Sequence, residues 1–311
     1  MSFASETKNE LARSMPEKRC CMLAEIAGFI RVAGSVSLAG GGRFKLILTT
    51  DNPAVARHYK KMFKEYFSID TETVIGQGSG IARGKKYRIS IGPEQLSEQI
   101  LRETGILMVR EGMNYITDGI YDGIIRTKCC RKAYLRGAFL GSGTMNNPEK
   151  SYHFEIVSAS EITARDIRKL INSFVDLNAR TFVRKNEYVT YVKESGQILD
   201  ILAIMGAHSQ YFDYEDVRLT KEMRNEANRR ANCDQANIDK AVAAAEKQIK
   251  AIRTVGVENL NDKLKQVAEV RLANPDASLT ELGQMLDPPL KKAGVNGRMT
   301  KIMKMAEEKG Q

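Results

Sequence analysis

The sequence predicts an α+β protein, in which a domain with an internal two-fold repeat precedes an all-α domain. Two observations lead to this prediction. A segment recurs at a constant offset within the first two thirds of the chain, and nearly continuous helical periodicity begins after Tyr214. Of the 311 residues, 42% are hydrophobic and 28% are charged, which is typical of globular proteins and leaves room for two cores. The predicted segments are a pseudo-two-fold domain at 1–214 with halves at about 20–106 and 129–208, a basic helical linker at 215–258, and an all-α domain at 259–311.

Two glycine-containing segments carry the repeat. Residues 20–35 read CCMLAEIAGFIRVAGS, and residues 129–144 read CCRKAYLRGAFLGSGT. Alignment of Gly28 with Gly137 gives an offset of 137 − 28 = 109, and the same offset aligns both adjacent cysteine pairs. Each segment has the apolar spacing of a helix, so we expect two related helices that pack together.

The repeat continues beyond these helices. The offset of 109 carries the predicted strand 44–49 onto 153–158, and a helix opened by Asp51 onto one opened by Ser160. Further along, Tyr87 aligns with Tyr188 at an offset of 188 − 87 = 101. The difference of eight residues falls in the glycine-rich region 76–86, where we predict a longer hairpin loop in the first copy. Each half is therefore predicted to have the element order αββαββα.

The glycines of the two motif helices have distinct expected roles. Gly28 and Gly137 lie among small residues, which would let two helix backbones approach closely. Gly34 and Gly143 are expected to close the helices in the left-handed conformation that glycine tolerates. The alternative is a pair of ordinary amphipathic helices with chance glycines.

Residues 26–34 (IAGFIRVAG) and 135–143 (LRGAFLGSG) resemble the paired motifs of LAGLIDADG homing endonucleases. In that family an acidic residue precedes the final glycine of each motif, and the two acids hold divalent metal for DNA cleavage. Here Ala33 and Ser142 occupy those positions. Metal-dependent cleavage requires hard oxygen ligands, preferably carboxylates. The resemblance therefore implies the architecture without a catalytic site, and we predict no enzyme activity.

Two further runs narrow the resemblance. Residues 223–234 (MRNEANRRANCD) and 279–289 (LTELGQMLDPP) are similar to the WhiA family of bacterial regulators. The resemblance covers the chain from about Cys20 to Glu308. It implies a transcription factor of sporulation, cell division and chromosome segregation that binds promoter DNA and acts alongside a sigma factor or RNA polymerase. It also implies a cytoplasmic, nucleoid-associated protein without a cofactor.

Three helices are predicted in the C-terminal domain. Ser278, with Glu281 three residues later, forms a capping box that opens the second helix. The third helix runs from about 291 to 308, and its predicted buried side is Val295, Met299, Ile302 and Met305, so that these helices form a helix-turn-helix. Its candidate DNA-binding residues are Lys291, Lys292, Asn296, Arg298, Lys301 and Lys304. We assign base reading to Asn296 and Arg298, and phosphate contact to the lysines. The alternative is a generic three-helix bundle with a basic solvated face.

A second candidate surface lies in the linker, where Arg224, Arg229 and Arg230 accompany several asparagines. These side chains are suited to phosphate contact, although a solvated linker helix would have the same composition. The formal net charge of 48 − 38 = +10 favours a polyanionic partner.

Metal binding is not expected from the five cysteines. Four form the adjacent pairs 20–21 and 129–130, whereas structural zinc sites usually space their ligands by two to four residues. We interpret the paired cysteines as small apolar residues of the two helices. Their thiols are expected to be reduced, as is usual in the cytoplasm. His58, His153 and His208 lack ligand spacing.

The leading functional prediction is thus a sequence-specific DNA-binding regulator. A scaffold that acts through protein contacts and an active endonuclease remain as alternatives. The N-terminal residues lack the layout of a secretory signal, and no apolar run reaches the ~18 residues of a membrane span.

Overall fold

The computed structural model describes residues 2–77 and 84–309. The chain divides into two compact units, the first ending at Thr220 and the second beginning at Lys221. The predicted three-part division at 214 and 258 stays a prediction. No helix among the described residues combines the length and the hydropathy that a membrane crossing requires.

The first unit opens with helix α1 (Phe3–Leu11) and then contains two copies of the same element order. The elements of the first copy are α2 (Arg19–Ala33), β1 (Gly34–Leu38), β2 (Phe44–Thr50), α3 (Pro53–Phe67), β3 (Glu72–Gln77), β4 (Lys85–Ile91) and α4 (Ser97–Glu103). A hairpin that the sequence did not predict follows, made of β5 (Leu107–Arg110) and β6 (Met113–Ile116). The elements of the second copy are α5 (Lys128–Ser142), β7 (Gly143–Met145), β8 (Phe154–Ser158), α6 (Glu161–Asn172), β9 (Arg180–Arg184), β10 (Glu187–Val192) and α7 (Ser195–Met205).

Both copies build the same antiparallel sheet. The strand orders are β1-β2-β4-β3 and β7-β8-β10-β9, so each strand of one copy has a counterpart at the same place in the other. The predicted α+β fold with two αββαββα halves is confirmed.

The two motif helices, α2 and α5, pack at close range through glycine. A Cβ atom added at Gly28 would overlap the carbonyl oxygen of Tyr134, and one at Gly137 would overlap the carbonyl oxygen of Glu25. Larger side chains would force the helices apart, as the sequence predicted.

The expected role of the two closing glycines is wrong. Gly34 has φ −95° and ψ 147°, and Gly143 has φ −69° and ψ 146°, both extended rather than left-handed. Each lies at the junction where a helix passes directly into a strand. A Cβ at Gly34 would overlap the carbonyl oxygen of Ile30, and one at Gly143 would overlap Phe139. Glycine is therefore required here by space and not by its φ angle.

The offset of the repeat also needs a correction. Gly34 pairs with Leu48, and its counterpart Gly143 pairs with Ile156, so the strand offset is 156 − 48 = 108 rather than 109. A shift by one residue exchanges the two faces of a strand. The β7–β8 connection is thus one residue shorter than its counterpart, and the helix openers shift with it. Asn52, not Asp51, caps α3 by accepting from the backbone N–H groups of residues 54 and 55.

Later registers agree with the predicted offset of 101. Leu48 pairs with Ile89 in the first sheet, and Ile156 pairs with Thr190 in the second, which gives 190 − 89 = 101. The change from 108 to 101 falls between Gln77 and Lys85. The predicted glycine-rich loop thus lies at this hairpin, although residues 78–83, with Gly78 and Gly80, are outside the described part of the chain.

A 48-residue helix, α8 (His208–Val255), follows the second copy. Its start is capped from far away in the sequence, because the carboxylate of Glu10 accepts from the backbone N–H groups of Ser209 at 2.7 Å and Gln210 at 3.0 Å. The final helices are α9 (Asp262–Ala273), α10 (Leu279–Gln284) and α11 (Lys292–Lys309). They enclose a core of their own with the end of α8, so the predicted all-α C-terminal region is confirmed.

Candidate nucleic-acid interface

Helix α11 has one face in the core of the second unit and one face in solvent. Val295, Met299 and Ile302 are buried in the core that this helix shares with α9 and α10, as the spacing predicted, whereas Met305 is only half-buried against it. About 100° separates successive residues of a helix, so the opposite face is centred on Gly297, Thr300 and Lys304. All three are exposed, which leaves this face of α11 open within its unit.

The turn before α11 is held by packing and by the backbone. The N–H of Leu290 donates to the carbonyl of Gly283 at 2.8 Å, and a Cβ at Gly283 would overlap the carbonyl oxygen of Leu290. The predicted capping box of α10 is present, with Ser278 and Glu281 bonded reciprocally. The hydrogen bonds from Ser278 lower the pKa of the Glu281 carboxyl. These contacts fix the start of α11 relative to α10.

Sequence reasoning missed the buried Arg271, which ties the segment between α9 and α10. Its guanidinium donates to Gln248 Oε1 at 3.1 Å and to the carbonyls of Pro275 at 3.2 Å and Ala277 at 2.5 Å. Burial lowers the pKa of Arg271. A lone arginine within an apolar stripe was the only sequence signal for this role.

Five of the six residues predicted for the third helix are exposed, and one of the five, Lys291, lies just before the start of α11. They are Lys291, Lys292, Asn296, Lys301 and Lys304. The sixth, Arg298, is half-buried and donates from Nη1 to the carbonyl of Lys263 at 3.0 Å. A base contact by Arg298 would therefore compete with a bond inside the protein.

The two predicted base readers do not share a face. Asn296 and Arg298 are two residues apart, which places them about 200° apart around the helix, on opposite flanks of the exposed face. Thr300, which the sequence analysis did not select, lies between those flanks, and its hydroxyl donates to the carbonyl of Asn296 at 2.9 Å. The helical period from the buried Val295 would have identified it.

The linker cluster lies on the exposed part of α8. Arg224, Arg229 and Arg230 are all in solvent, and Arg230 forms an ion pair with Glu226 at 2.5 Å. Because five residues separate Arg224 from Arg229, their side chains leave α8 about 140° apart. The cluster is thus spread around the helix rather than gathered on one side.

The positions of the missing motif acids do not fit a divalent metal. The hydroxyl of Ser142 is engaged, since it donates to the carbonyl of Val157 at 2.6 Å. A neighbouring cavity of about 650 Å³ is lined by Ser142, Lys8, Lys86 and a single carboxylate, that of Asp51. Burial lowers the pKa of Lys8, against the opposing charge of Asp51. Two ammonium groups and one acid disfavour a cation that needs several oxygen ligands.

Three family models match the chain, and together they cover most of it. They describe a WhiA N-terminal LAGLIDADG-like domain at residues 19–107, a WhiA LAGLIDADG-like domain at 131–224 and a WhiA C-terminal HTH domain at 227–306. A probable cell division protein WhiA from Thermoanaerobacter pseudethanolicus is 45% identical over 99% of this chain and 98% of its own length. The chain belongs to the WhiA family.

Two further WhiA proteins also match nearly the whole length of this chain. A probable cell division protein WhiA from Alkaliphilus metalliredigens is 42% identical over 99% of this chain and 98% of its own. The crystal structure of full-length DUF199/WhiA from Thermatoga maritima is 26% identical, covers 99% of both chains and has a TM-score of 0.60. The predicted family is thus confirmed, and its HTH domain contains α9 to α11.

Proposed function

We propose that this WhiA-family protein is a sequence-specific regulator that binds double-stranded promoter DNA and does not cut it. The observation that carries the proposal is the open face of α11, which is basic, exposed and backed by a closed core. A recognition helix needs that combination, because it must enter the major groove while its other face stays packed.

The candidate DNA-binding side chains fall into two groups, according to whether they suit base edges or phosphate oxygens. Asn296, Thr300 and Arg298 offer hydrogen-bonding groups for base edges, and Arg298 would first have to leave the carbonyl of Lys263. Lys291, Lys292, Lys301 and Lys304 suit phosphate oxygens, which add affinity with little sequence information. Arg224, Arg229 and Arg230 are a secondary phosphate surface. Gly297, on the same exposed face, adds no side chain that would hold α11 away from DNA.

The biological setting follows from the relatives. Because the related proteins carry the name cell division protein, we place this chain in the control of cell division. Roles in sporulation and chromosome segregation are part of the proposal, and they rest on the resemblance of residues 223–234 and 279–289 to WhiA regulators. It would act at the nucleoid in the cytoplasm, alongside a sigma factor or RNA polymerase. The absence of cleavage rests on Ala33 and on the engaged hydroxyl of Ser142.

Mutations on α11 test the assignment. Full-length protein is first used to select a binding sequence from a random duplex library, and affinities for that duplex and a scrambled one are measured over a range of salt. Lys301→Ala should weaken both and lower the slope of log K against log salt by about one unit. Arg298→Ala should lower specific binding about tenfold and spare the scrambled duplex.

The exposed Lys265 on α9 provides the matched control, and Lys265→Ala should leave both affinities unchanged. Equal melting temperatures exclude loss of folding. If the two α11 variants bind the selected duplex as tightly as wild type, α11 is not the recognition helix, and the arginines of α8 become the next surface to test. Should no duplex be enriched, the protein acts through protein contacts. Nicking of supercoiled plasmid with Mg²⁺ would refute the non-nuclease assignment.

A further inference from the structure

The four paired cysteines come together at one end of the motif helices. The Sγ atoms of Cys20, Cys21, Cys129 and Cys130 all lie within 4.8 Å of one another. The first pair is in the first turn of α2 and the second pair in the first turn of α5. Cys21 and Cys130 are buried, while Cys20 is exposed and Cys129 half-buried.

The fold explains why two pairs so distant in sequence meet. Helices α2 and α5 are equivalent elements of the two copies, and they pack against each other through Gly28 and Gly137. A two-fold relation between them places the pair that starts one helix beside the pair that starts the other. An adjacent pair alone has poor spacing for a metal ion, as predicted, whereas here each helix supplies half of a four-sulfur set.

The spacing of the sulfurs suits a single ion. Zinc binds thiolate sulfur at about 2.3 Å, so four sulfurs at the corners of a tetrahedron are about 3.8 Å apart. Because the four Sγ atoms already lie within 4.8 Å of one another, only small side-chain adjustments are needed to reach the tetrahedral spacing. An iron–sulfur cluster with several irons would hold its cysteines farther apart. All-thiolate sites select soft or borderline metals over Mg²⁺ or Ca²⁺.

The surroundings favour thiolate. Thr127 Oγ1 lies 3.2 Å from the Sγ of Cys129 and also accepts from the backbone N–H of Cys130 at 3.3 Å, so its own hydrogen is free to point at the sulfur. A hydrogen bond from this hydroxyl would stabilise the thiolate form of Cys129, which is the form that binds a metal ion.

The charge around the cluster is also positive. Both pairs lie at helix N-termini, where the free backbone N–H groups favour negative charge. The small cavity beside Cys21 and Cys129 is lined by three cationic and two acidic side chains, which are Lys18, Lys132, Arg136, Glu17 and Glu25. A site with four thiolates and one Zn²⁺ has a net charge of −2, and the helix N-termini and the one net positive charge of this lining offset part of it.

We propose that Cys20, Cys21, Cys129 and Cys130 form a structural Zn²⁺ site that joins the N-terminal ends of the two motif helices. On binding, each thiol that is still protonated releases its proton to solvent as its sulfur bonds to the ion, and no redox step occurs. All four protein ligands are supplied, so the ion has no open position for catalysis. The cysteines belong to the first unit, whereas the DNA-binding face proposed for α11 belongs to the second.

Metal content and cobalt spectroscopy test the site. Full-length protein is purified under reducing conditions, and bound metal is measured by mass spectrometry of the elements. We expect one zinc per chain. After chelation and titration with Co²⁺, the spectrum should show the thiolate-to-cobalt charge transfer and the strong visible bands of a tetrahedral sulfur site.

Cys129→Ser should weaken zinc binding at least tenfold, and so should Cys20→Ser, whose position is exposed and tolerant of the change. Cys233→Ser is the matched control, because Cys233 is an exposed cysteine of α8 and its loss should change nothing. Removal of zinc from the wild type should lower the melting temperature.

Three results would each overturn the site. The first is reduced wild-type protein that gives no tetrahedral cobalt spectrum, which can be read even if a variant misfolds. The second is a Cys129→Ser variant that folds and keeps wild-type zinc affinity. The third is freshly isolated protein in which disulfides join the two pairs and zinc is absent even after reduction.

Discussion

The two copies of the repeat share one fold but differ in surface chemistry. On the first sheet, the face that points away from the core carries Lys45, Lys86 and Arg88, all exposed and without an ion-pair partner within residues 2–77 and 84–309. On the second sheet the corresponding face is centred on Glu155, which contacts Arg184 at 3.0 Å and His153 at 3.0 Å. The central charges of the second face pair with one another, whereas the three cations of the first face are available to a polyanion.

The two motif helices also differ in the polar groups that they bury. Glu25 of α2 is fully buried and lies 2.8 Å from His58 Nε2 and 3.3 Å from Arg136 Nε, whereas Tyr134 occupies the equivalent position of α5. One copy thus buries a charge where the other buries a phenol. The two copies therefore share their backbone arrangement, whereas the polar groups that they bury and pair are different.

The largest expected effect comes from breaking the buried charge. Glu25→Gln keeps the shape of the side chain but leaves Arg136 without its carboxylate, and we expect a loss of about 3–5 kcal/mol in the free energy of unfolding. Tyr134→Phe at the equivalent position should cost only about 1 kcal/mol. Urea denaturation measures both, with the exposed Glu17→Gln as control. Equal losses at Glu25 and Tyr134 would contradict the asymmetry.

A smaller effect is expected at Glu155, where pH is the variable. Burial alone would raise the pKa of this carboxyl, but hydrogen bonds from His153 and Arg184 outweigh it and leave the pKa below its ordinary value. A lowered folded-state pKa stabilises the protein above the unfolded pKa, and this stability is lost as pH falls through the folded value.

Wild type should therefore lose stability below about pH 4 more steeply than Glu155→Gln, by about 1 kcal/mol at most. Thermal melting between neutral and acidic pH gives the comparison. A variant whose pH profile parallels wild type would show that the contact with Arg184 contributes nothing.

The smallest expected effect concerns weak DNA contact by the first sheet. Arg88→Ala should lower the salt dependence of binding to a scrambled duplex by about one unit of slope, because it removes one free cation. Arg184→Ala should leave the slope unchanged, since that arginine is already paired with Glu155. The same slope for both variants would mean that the two faces do not differ toward DNA.

The sequence predicted the repeat, both αββαββα halves and the three final helices, because apolar periodicity and glycine spacing persist through long elements. It missed that the β7–β8 connection is one residue shorter than the β1–β2 connection, since a shorter loop leaves no periodic signal. The backbone register of Gly143 with Ile156 was needed to reveal it. The cap that Glu10 places on α8 was equally invisible, because about 200 residues separate the partners.

At the candidate sites, the sequence identified suitable residue types but not how their side chains are placed relative to one another. The lysines of α11 were found from composition and spacing, but the separation of Asn296 from Arg298 needed the angle around the helix. The bond from Arg298 to the carbonyl of Lys263 needed the packed position of α9. The cysteine cluster needed the packed positions of α2 and α5, because the sequence shows that the two pairs are equivalent but not that the first turns of the helices meet.

The burial of Glu25 has a consequence for how this architecture can change by mutation. In a symmetric homodimer every substitution occurs twice across the axis, so an acid at this position would bring two carboxylates into one interface. Covalent linkage of the two halves removes that constraint, because each residue is encoded once. A single carboxylate can then pair with an arginine that the other half alone carries. A single chain with two halves can therefore hold a charge pair once where a symmetric homodimer would have to bury it in duplicate.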